Sequence, residues 1–332
     1  MRYYNIPIFI PELACPHQCV FCDQQKISGH SNIPEPKDIP DIVDKYLASF
    51  TAKTRNVNIA FFGGSFTGIE RQLQEAYLKE AQKYVHNGKI QGIRLSTRPD
   101  YINNDIVDML KHYSVSCIEL GAQSMHPEVL KHAGRGHTVE QIEDAAKTIK
   151  NSGIELGLQM MLGLPADTKE RSMLTARKIT EAGAANTRIY PTLVIEGTAL
   201  AQQFKNDTYK PLTLDEAIDW AKDVFLYFIE HHVNVLRTGL HPSEEFEAGK
   251  SLLAGPYHPG FKELMLTAIW KDKFRNIQHK TNSLEIEVSP NQVNNAIGHK
   301  KVNRNLLLKQ WKQVKISANN TLTNYQFHVI NC

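Results

Sequence analysis

Short β-forming runs alternate with helical stretches from Tyr3 to about Arg237, and this alternation restricts the fold more than any other feature. Parallel strands need a crossover long enough to hold a helix, so strict alternation implies parallel pairing. The predicted strands are Asn5–Ile10, Val57–Phe62, Gly92–Thr97, Val115–Leu120, Glu155–Leu162 and Thr187–Ile195. The predicted helices are Asp38–Phe50, Gln72–His86, Asn104–His112, Val139–Asn151, Lys169–Ala182 and Leu214–His231. Six such units predict an α/β fold, either a partial barrel or a doubly wound sheet, with the chemistry at the carboxyl ends of the strands.

The pattern changes after Arg237, and three regions follow from it. Residues 1–240 form the predicted barrel, residues 241–281 a connector rich in Pro and Gly, and residues 282–332 a small basic α+β domain. The elements predicted beyond residue 260 are helix Phe261–Trp270, strand Leu284–Val288, helix Asn291–Ile297, helix Val302–Trp311, strand Val314–Ser317 and strand Tyr325–Ile330.

The composition and the amino-terminal sequence indicate the cellular compartment of the protein. The chain is 42% hydrophobic, and no apolar run reaches the roughly 20 residues that a membrane helix needs. Pro7 and Pro11 interrupt the apolar amino-terminal stretch, which also lacks a cleavage-site pattern. Five unevenly spaced cysteines do not form a disulfide framework. We therefore expect a cytoplasmic protein without a membrane partner.

Cys15, Cys19 and Cys22 are spaced so that their thiolates can converge on one metal centre. Soft sulfur ligands select zinc, copper(I) or iron–sulfur clusters. Only Cys117 and Cys332 remain elsewhere, and neither belongs to a second pair. A [4Fe–4S] cluster held by three cysteines would keep one iron open for a substrate or cosubstrate. The alternative is a zinc site completed by His17 or His30.

Further motifs stand at the ends of predicted strands. Paired glycines in such a position let the backbone approach a ligand without interference from a Cβ atom. In chain order the strand-end motifs are Phe61-Phe62-Gly63-Gly64-Ser65-Phe66, Gly121-Ala122-Gln123-Ser124 and Met160-Met161-Leu162-Gly163-Leu164-Pro165. A fourth motif, Gly134-Arg135-Gly136-His137-Thr138, precedes the next predicted helix.

The cysteine spacing and these motifs together resemble the radical S-adenosylmethionine (SAM) enzymes, in particular oxygen-independent coproporphyrinogen oxidase and the catalytic subunit of Elongator. The resemblance implies a partial (β/α)6 TIM-like barrel with a small C-terminal domain. It also implies a [4Fe–4S] cluster whose open iron binds SAM and whose electron cleaves it to a 5′-deoxyadenosyl radical. An electron donor such as a flavodoxin or a ferredoxin is the implied redox partner.

The resemblance also assigns residues to SAM. They are Gly63, Gly64, Ser65, Ser96, Gln123, Arg135 and Gln159. The glycine pair corresponds to the motif that contacts the SAM amino group, Gln123 to the ribose contact and Arg135 to the carboxylate contact, which suits the planar arginine fork. Gln159 stands where the porphyrinogen enzyme has an Asp, and Ser96 where both relatives often carry a Glu. A short hydroxyl cannot replace that carboxylate.

Three segments favour the Elongator-like branch, and the similarity covers roughly residues 3–240. They are Thr97-Arg98-Pro99-Asp100-Tyr101, Gly134-Arg135-Gly136-His137-Thr138 and Arg188-Ile189-Tyr190-Pro191-Thr192-Leu193-Val194-Ile195. The cysteine spacing is one residue shorter than is usual for that relative. No acetyl-CoA pyrophosphate loop is visible, so the sequence predicts an Elongator-type radical SAM enzyme that lacks the acetyltransferase domain.

The carboxyl-terminal region is strongly basic, with ten Lys/Arg against three acidic residues from Lys271 to Cys332. Within it, Gly298-His299-Lys300-Lys301 is similar to the GXXG loop of KH domains, which clamps a nucleic-acid backbone. Charge and topology favour RNA as a partner, and tRNA is the leading substrate class. A helix end at Gly298 followed by a basic helix is the alternative.

Two other functions remain open at this point. One is a radical SAM oxidase of a porphyrinogen or another small molecule, and the other is a zinc-bearing RNA-binding protein without catalysis. Arg237-Thr238-Gly239-Leu240-His241 follows a further expected strand and could face a substrate cavity.

Overall fold

A computed structural model describes residues 2–10, 19–23, 33–51, 55–240, 251–278 and 281–331. Its main feature is a parallel sheet of seven strands in the order β1-β2-β3-β4-β5-β6-β8. These strands are Arg2–Ile10 (β1), Arg55–Gly63 (β2), Gly92–Thr97 (β3), Val115–Gln123 (β4), Glu155–Leu162 (β5), Asn186–Pro191 (β6) and Asn234–Thr238 (β8).

Helices connect these strands on the outer side of the sheet. They are Ile39–Ser49 (α1), Arg71–His86 (α2), Asn104–His112 (α3), Pro127–His132 (α4), Val139–Ser152 (α5), Lys169–Glu181 (α6), Ala199–Lys205 (α7) and Leu214–Glu230 (α8). Helix α5 shows how local sequence sets the bounds. Thr138 and Gln141 form a reciprocal capping box at its start, and Gly153 ends it with a left-handed φ of +83°.

The sheet curls strongly. The guanidinium carbon of Arg188 on β6 lies 4.8 Å from the ring centroid of Phe62 on β2, although three strands separate β2 from β6. Two positions so far apart in a flat sheet could not meet. The fold is therefore the predicted partial TIM-like barrel, and the small C-terminal domain is confirmed below.

The two faces of the barrel sheet differ in burial. Outward-facing Ile59, Ile118 and Ile189 are fully buried against the helices, and each such side chain stabilises the fold by about 1.5–3 kcal/mol. Burial on the concave face is mixed: Phe62 and Arg188 are only partly buried, whereas Glu119 is 1% exposed. Polar side chains alternate with apolar ones because one face lines an open concavity.

The strand predicted at Thr187–Ile195 is wrong as a single element. Strand β6 ends at Pro191, and Val194–Ile195 (β7) pairs antiparallel with Leu252–Ala254 (β9). Pro191 has no backbone N–H for a ladder, so the chain can leave the main sheet there. Strand β8 takes the edge position beside β6.

The C-terminal region is a three-stranded sheet with helices on one side. It consists of Phe261–Phe274 (α9), Ser283–Val288 (β10), Val293–Ile297 (α10), Val302–Leu307 (α11), Gln313–Ala318 (β11) and Phe327–Asn331 (β12). Strand β10 is central, parallel to β11 and antiparallel to β12. Trp270 of α9 is fully buried in the core of this unit together with Ile286 and Trp311. The predicted order of elements is confirmed.

None of the helices in the described ranges has both the length and the apolar character that crossing a bilayer requires.

Candidate functional site

The cysteine segment follows the carboxyl end of β1. Cys15 lies outside the described residues, as do His17 and His30, so the structure describes two of the three predicted cluster ligands. Cys19 is buried and Cys22 is partly exposed. A hydrogen bond from the Cys22 amide to the Cys19 carbonyl, 3.1 Å long, closes a turn between them.

Two short helices that sequence analysis missed hold this segment. The Val20 amide donates to the carbonyl of Ala133, at the end of α4, over 3.1 Å. The Val20 carbonyl accepts from the amide of Leu200, in the first turn of α7, over 2.6 Å. Cys19 and Phe21 then pack in an apolar cluster with residues of these helices. The position of Cys19 is thus fixed by the scaffold rather than left to a free loop.

Arg135 is a charged side chain that contacts one of the cysteines. Its guanidinium donates from Nη1 to the Cys19 sulfur over 3.1 Å and from Nη2 to the Gly121 carbonyl over 2.6 Å. Arg135 is 6% exposed, and its Nε has no hydrogen-bond partner among the described residues. The predicted carboxylate-binding arginine and the predicted cluster cysteine therefore meet, although 116 residues separate them.

Gln123 completes this corner of the site at the end of β4. Its backbone has a left-handed φ of +64°, which is uncommon for a residue with a side chain. Its buried Oε1 has no hydrogen-bond partner within the described structure. A Cβ atom on Gly121 would lie 3.1 Å from Gln123 Nε2 and 3.4 Å from Arg135 Nη2. A buried acceptor without a donor costs free energy, so this corner fits a ligand that carries a hydroxyl or amino donor, as SAM does.

The glycine motif lies at the end of β2. Gly63 has a φ of +109°, and Ser65 is buried. The motif is connected to β3 by a hydrogen bond of 2.6 Å between the hydroxyls of Thr67 and Thr97. The predicted SAM-amino motif therefore stands at the same edge of the sheet as the cysteines.

Two of the three Elongator-like segments contact each other. Arg98 makes a two-fold ion pair with Asp100, at 2.9 and 3.0 Å, and donates to the backbone carbonyl of Arg135 over 2.6 Å. His137 is buried beside this pair. Burial first, and then the charges of Arg135 and Arg98, lower the pKa of His137 to about 3. A neutral His137 adds no positive charge to this corner.

Ser96 and Gln159 lie on the concave face, within β3 and β5 and before the carboxyl ends of these strands. Ser96 of β3 stands in register with Glu119 of β4. The Gln159 amide donates to Glu119 Oε2 over 3.1 Å, so Gln159 is engaged within the protein. Their assignment to SAM stays a prediction, as do the SAM contacts of the other named residues.

A charge network that sequence analysis missed is centred on Glu119, which is 1% exposed. Arg94 Nη2 donates to its Oε1 over 3.1 Å, and Arg188 Nε donates to its Oε2 over 2.5 Å. Burial opposes ionisation of Glu119, but Arg188 and then Arg94 outweigh it and hold its pKa below the usual value. The signal was present in the sequence, because a charged residue interrupts the apolar run of β4.

The chain belongs to the radical SAM superfamily, whose family model matches residues 10–179. A model of the radical SAM C-terminal domain matches residues 185–271. Members of this superfamily are enzymes, and the predicted class is thus confirmed.

Among curated proteins, the chain is similar to the tRNA uridine(34) acetyltransferase of Methanocaldococcus infernus, with 28% identity over 62% of this chain and 46% of the relative. It is also similar to Elongator complex protein 3 of Schizosaccharomyces pombe, with 33% identity over 43% of this chain and 27% of the relative. The solved Elp3 of M. infernus, which lacks residues 1–46, has a similar fold, with a TM-score of 0.63, 20% identity, and coverage of 82% of this chain and 64% of that one. The Elongator-like resemblance is confirmed. The chain spans less than half the length of these curated relatives.

Proposed function

We propose that this chain holds a [4Fe–4S] cluster through Cys15, Cys19 and Cys22, binds SAM beside it, and modifies an RNA, with tRNA as the leading candidate. The observation that carries the cofactor part is the convergence of Arg135 on Cys19, beside the unsatisfied Gln123 amide. Bound together, the cluster and SAM supply a carbon radical that can abstract hydrogen from an unactivated C–H bond.

The protein's own contribution is to position SAM and shield it. Arg135 offers a guanidinium nitrogen without a described partner, which suits the carboxylate of SAM. Gln123 offers its amide oxygen to a ribose hydroxyl. Phe21, 7% exposed, packs in the same apolar cluster as Cys19, where it helps to exclude water.

Support for RNA comes first from the relatives, whose names state an action on tRNA uridine. It also comes from the loop between α10 and α11. Lys300 and Lys301 are exposed, and neither lies within ion-pair distance of a carboxylate in the described ranges. An exposed basic pair of this kind suits a phosphate backbone.

The loop is fixed rather than loose. The His299 amide donates to Thr267 Oγ1 over 2.8 Å, and the Asn303 side chain donates to the Thr267 carbonyl over 3.0 Å. Both bonds attach the loop to helix α9. Lys300 and Lys301 are therefore presented by a rigid turn with backbone φ of +51° and +63°.

The cofactor part is tested by anaerobic reconstitution with iron and sulfide. We expect absorbance near 400 nm and release of 5′-deoxyadenosine from SAM upon reduction, both lost in Cys19→Ala. Zinc binding without absorbance or SAM cleavage would contradict the proposal.

The RNA part is tested by gel-shift titration with a tRNA transcript. Because log affinity falls with each lost phosphate contact, K300A/K301A should bind tRNA about ten-fold more weakly at 0.1 M salt and show a shallower salt dependence. The matched control is K79A/K147A, which removes two exposed lysines from outer helices. If the two double variants bind alike, the loop is not the RNA contact.

A further inference from the structure

The concave face of the barrel carries more positive than negative charge. Three arginines and two glutamates face one another there among the described residues. They are Arg94, Arg188, Arg237, Glu119 and Glu155. A buried or half-buried charge needs a partner, because transfer out of water costs free energy that only pairing offsets.

Glu119 is fully occupied by two of these arginines. Its oxygens accept from Arg94, from Arg188 at two positions, and from the Gln159 amide. Arg94 also reaches Glu155 at 3.4 Å. Glu119 is therefore saturated, and Glu155 already accepts from Arg94 and, over 2.7 Å, from the Asn186 amide.

Arg237 is that third cation. It stands directly beside Arg188 in the register of β6 and β8, so two like charges occupy neighbouring positions on adjacent strands. Arg237 donates only to backbone carbonyls of its own segment, from Nε to Gly239 over 2.9 Å and from Nη2 to Leu240 over 3.2 Å. Within the described ranges no carboxylate pairs with it.

Tyr190 borders the same space. It lies two residues beyond Arg188 on β6, nearer the edge that carries the cysteine segment, and it is close enough to interact with both guanidinium groups. Burial, together with the charge of Arg188, lowers the pKa of Arg237 despite the opposing effect of Tyr190. Among the described residues, no negative charge lies against Arg237, and a ligand could provide one.

We infer that Arg237, which stands beside Arg188 and close to Tyr190, binds an oxyanionic group of the substrate inside the barrel. This group is either a phosphate or a carboxylate. The planar guanidinium fork matches both groups. The inference rests on the proposed function, since it names the chemistry of the ligand that enters the same barrel.

The test uses the anaerobically reconstituted protein and three probes, uridine, uridine 5′-monophosphate and acetate, in calorimetric titrations. Because the contact is charge-assisted, at least one anionic probe should bind Arg237→Gln about ten-fold or more weakly than it binds the wild type, while uridine binds both proteins alike. Arg237→Lys should recover part of the affinity. Arg177→Gln, an exposed arginine on α6, is the matched control and should bind as the wild type does.

The probes separate the two sources of the anion. If Arg237→Gln binds uridine 5′-monophosphate more weakly than the wild type does, the bound group is a phosphate. If only the affinity for acetate falls, the bound group is a carboxylate. If neither anion depends on Arg237, the inference is wrong. Wild-type SAM cleavage, measured on the same preparation, shows whether the proposed cofactor chemistry has failed as well.

Discussion

Arg98 Nη2 lies 2.6 Å from the backbone carbonyl of Arg135, so the end of β3 holds the arginine that reaches Cys19. The Thr67–Thr97 hydrogen bond connects the glycine motif to the same strand end. A chain of short contacts thus runs from the glycine motif through β3 to the cysteine segment. Motifs far apart in sequence are therefore positioned by one another.

Arg98 tests that coupling. Arg98→Ala removes both hydrogen bonds to Asp100 and should lower the free energy of unfolding by about 3 kcal/mol, because it leaves a partly buried carboxylate unpaired. SAM affinity should fall as well, since Arg135 loses its anchor. Arg71→Ala, which breaks an exposed pair with Glu75, should change stability by less than about 1 kcal/mol. If SAM affinity stays constant in Arg98→Ala, Arg98 does not position Arg135.

Gly121 tests the corner formed by Gln123 and Arg135. In Gly121→Ala the new Cβ would lie 3.1 Å from Gln123 Nε2, so the amide must move. We expect SAM to bind about ten-fold more weakly, as for the loss of one hydrogen bond of about 1.4 kcal/mol. Equilibrium dialysis with labelled SAM would measure this.

The matched control for that measurement is Gly88→Ala. Gly88 has a φ of +72°, and a Cβ atom there would meet nothing within 4 Å. The substitution should therefore cost about 1–2 kcal/mol of stability and leave SAM affinity unchanged. Equal losses of SAM affinity in the two variants would mean that general destabilisation, not the corner, is responsible.

The ionisation of Glu119 makes the stability of the protein depend on pH, and the lowered pKa of Glu119 determines the direction. Its folded pKa is held below the usual value, so its contribution is present above the unfolded pKa of about 4.3 and is lost as the pH falls through the folded pKa. Glu119→Gln should lower the free energy of unfolding at pH 7 by about 3–5 kcal/mol, because Arg94 and Arg188 stay buried without their counter-charge. Measured by urea unfolding, the free energy of unfolding should fall less between pH 7 and pH 3 in the variant than in the wild type. Parallel curves for the two proteins would contradict the assignment.

Local signals made part of the fold predictable from the sequence. The capping box of Thr138 and Gln141 and the terminal Gly153 define α5 within one turn, and side-chain N-caps likewise mark the starts of α3, α6 and α8. Helices α4 and α7, of six and seven residues, are too short for periodicity to identify. They are nevertheless the elements that hold Val20 and the cysteines beside it.

The candidate site, too, was only partly predictable from the sequence. Cys19, Gln123 and Arg135 were found because each belongs to a short sequence motif, after a strand for Cys19 and Gln123 and before a helix for Arg135. The Glu119 network was missed because its partners Arg94 and Arg188 lie 25 and 69 residues away, and no local pattern predicts such a contact. Strand alternation places these side chains on one face, and the curl of the sheet, which brings β6 toward β2, makes that face concave.

Gly298 tests whether the rigid turn matters for RNA. It has a φ of +87°, and a Cβ there would lie 3.0 Å from Thr267 Cγ2 and 3.1 Å from both the backbone nitrogen and the side-chain carbon of Asn303. Gly298→Ala should therefore separate the loop from helix α9 and weaken tRNA binding, although every lysine is retained. The comparison is Gly153→Ala, which has a similar φ of +83° but open space around the new methyl group. Both variants should lose about 1–2 kcal/mol of stability from the left-handed backbone, and only Gly298→Ala should lose tRNA affinity in the gel-shift titration. Unchanged tRNA binding by Gly298→Ala would mean that the lysine charges act without the geometry of the turn.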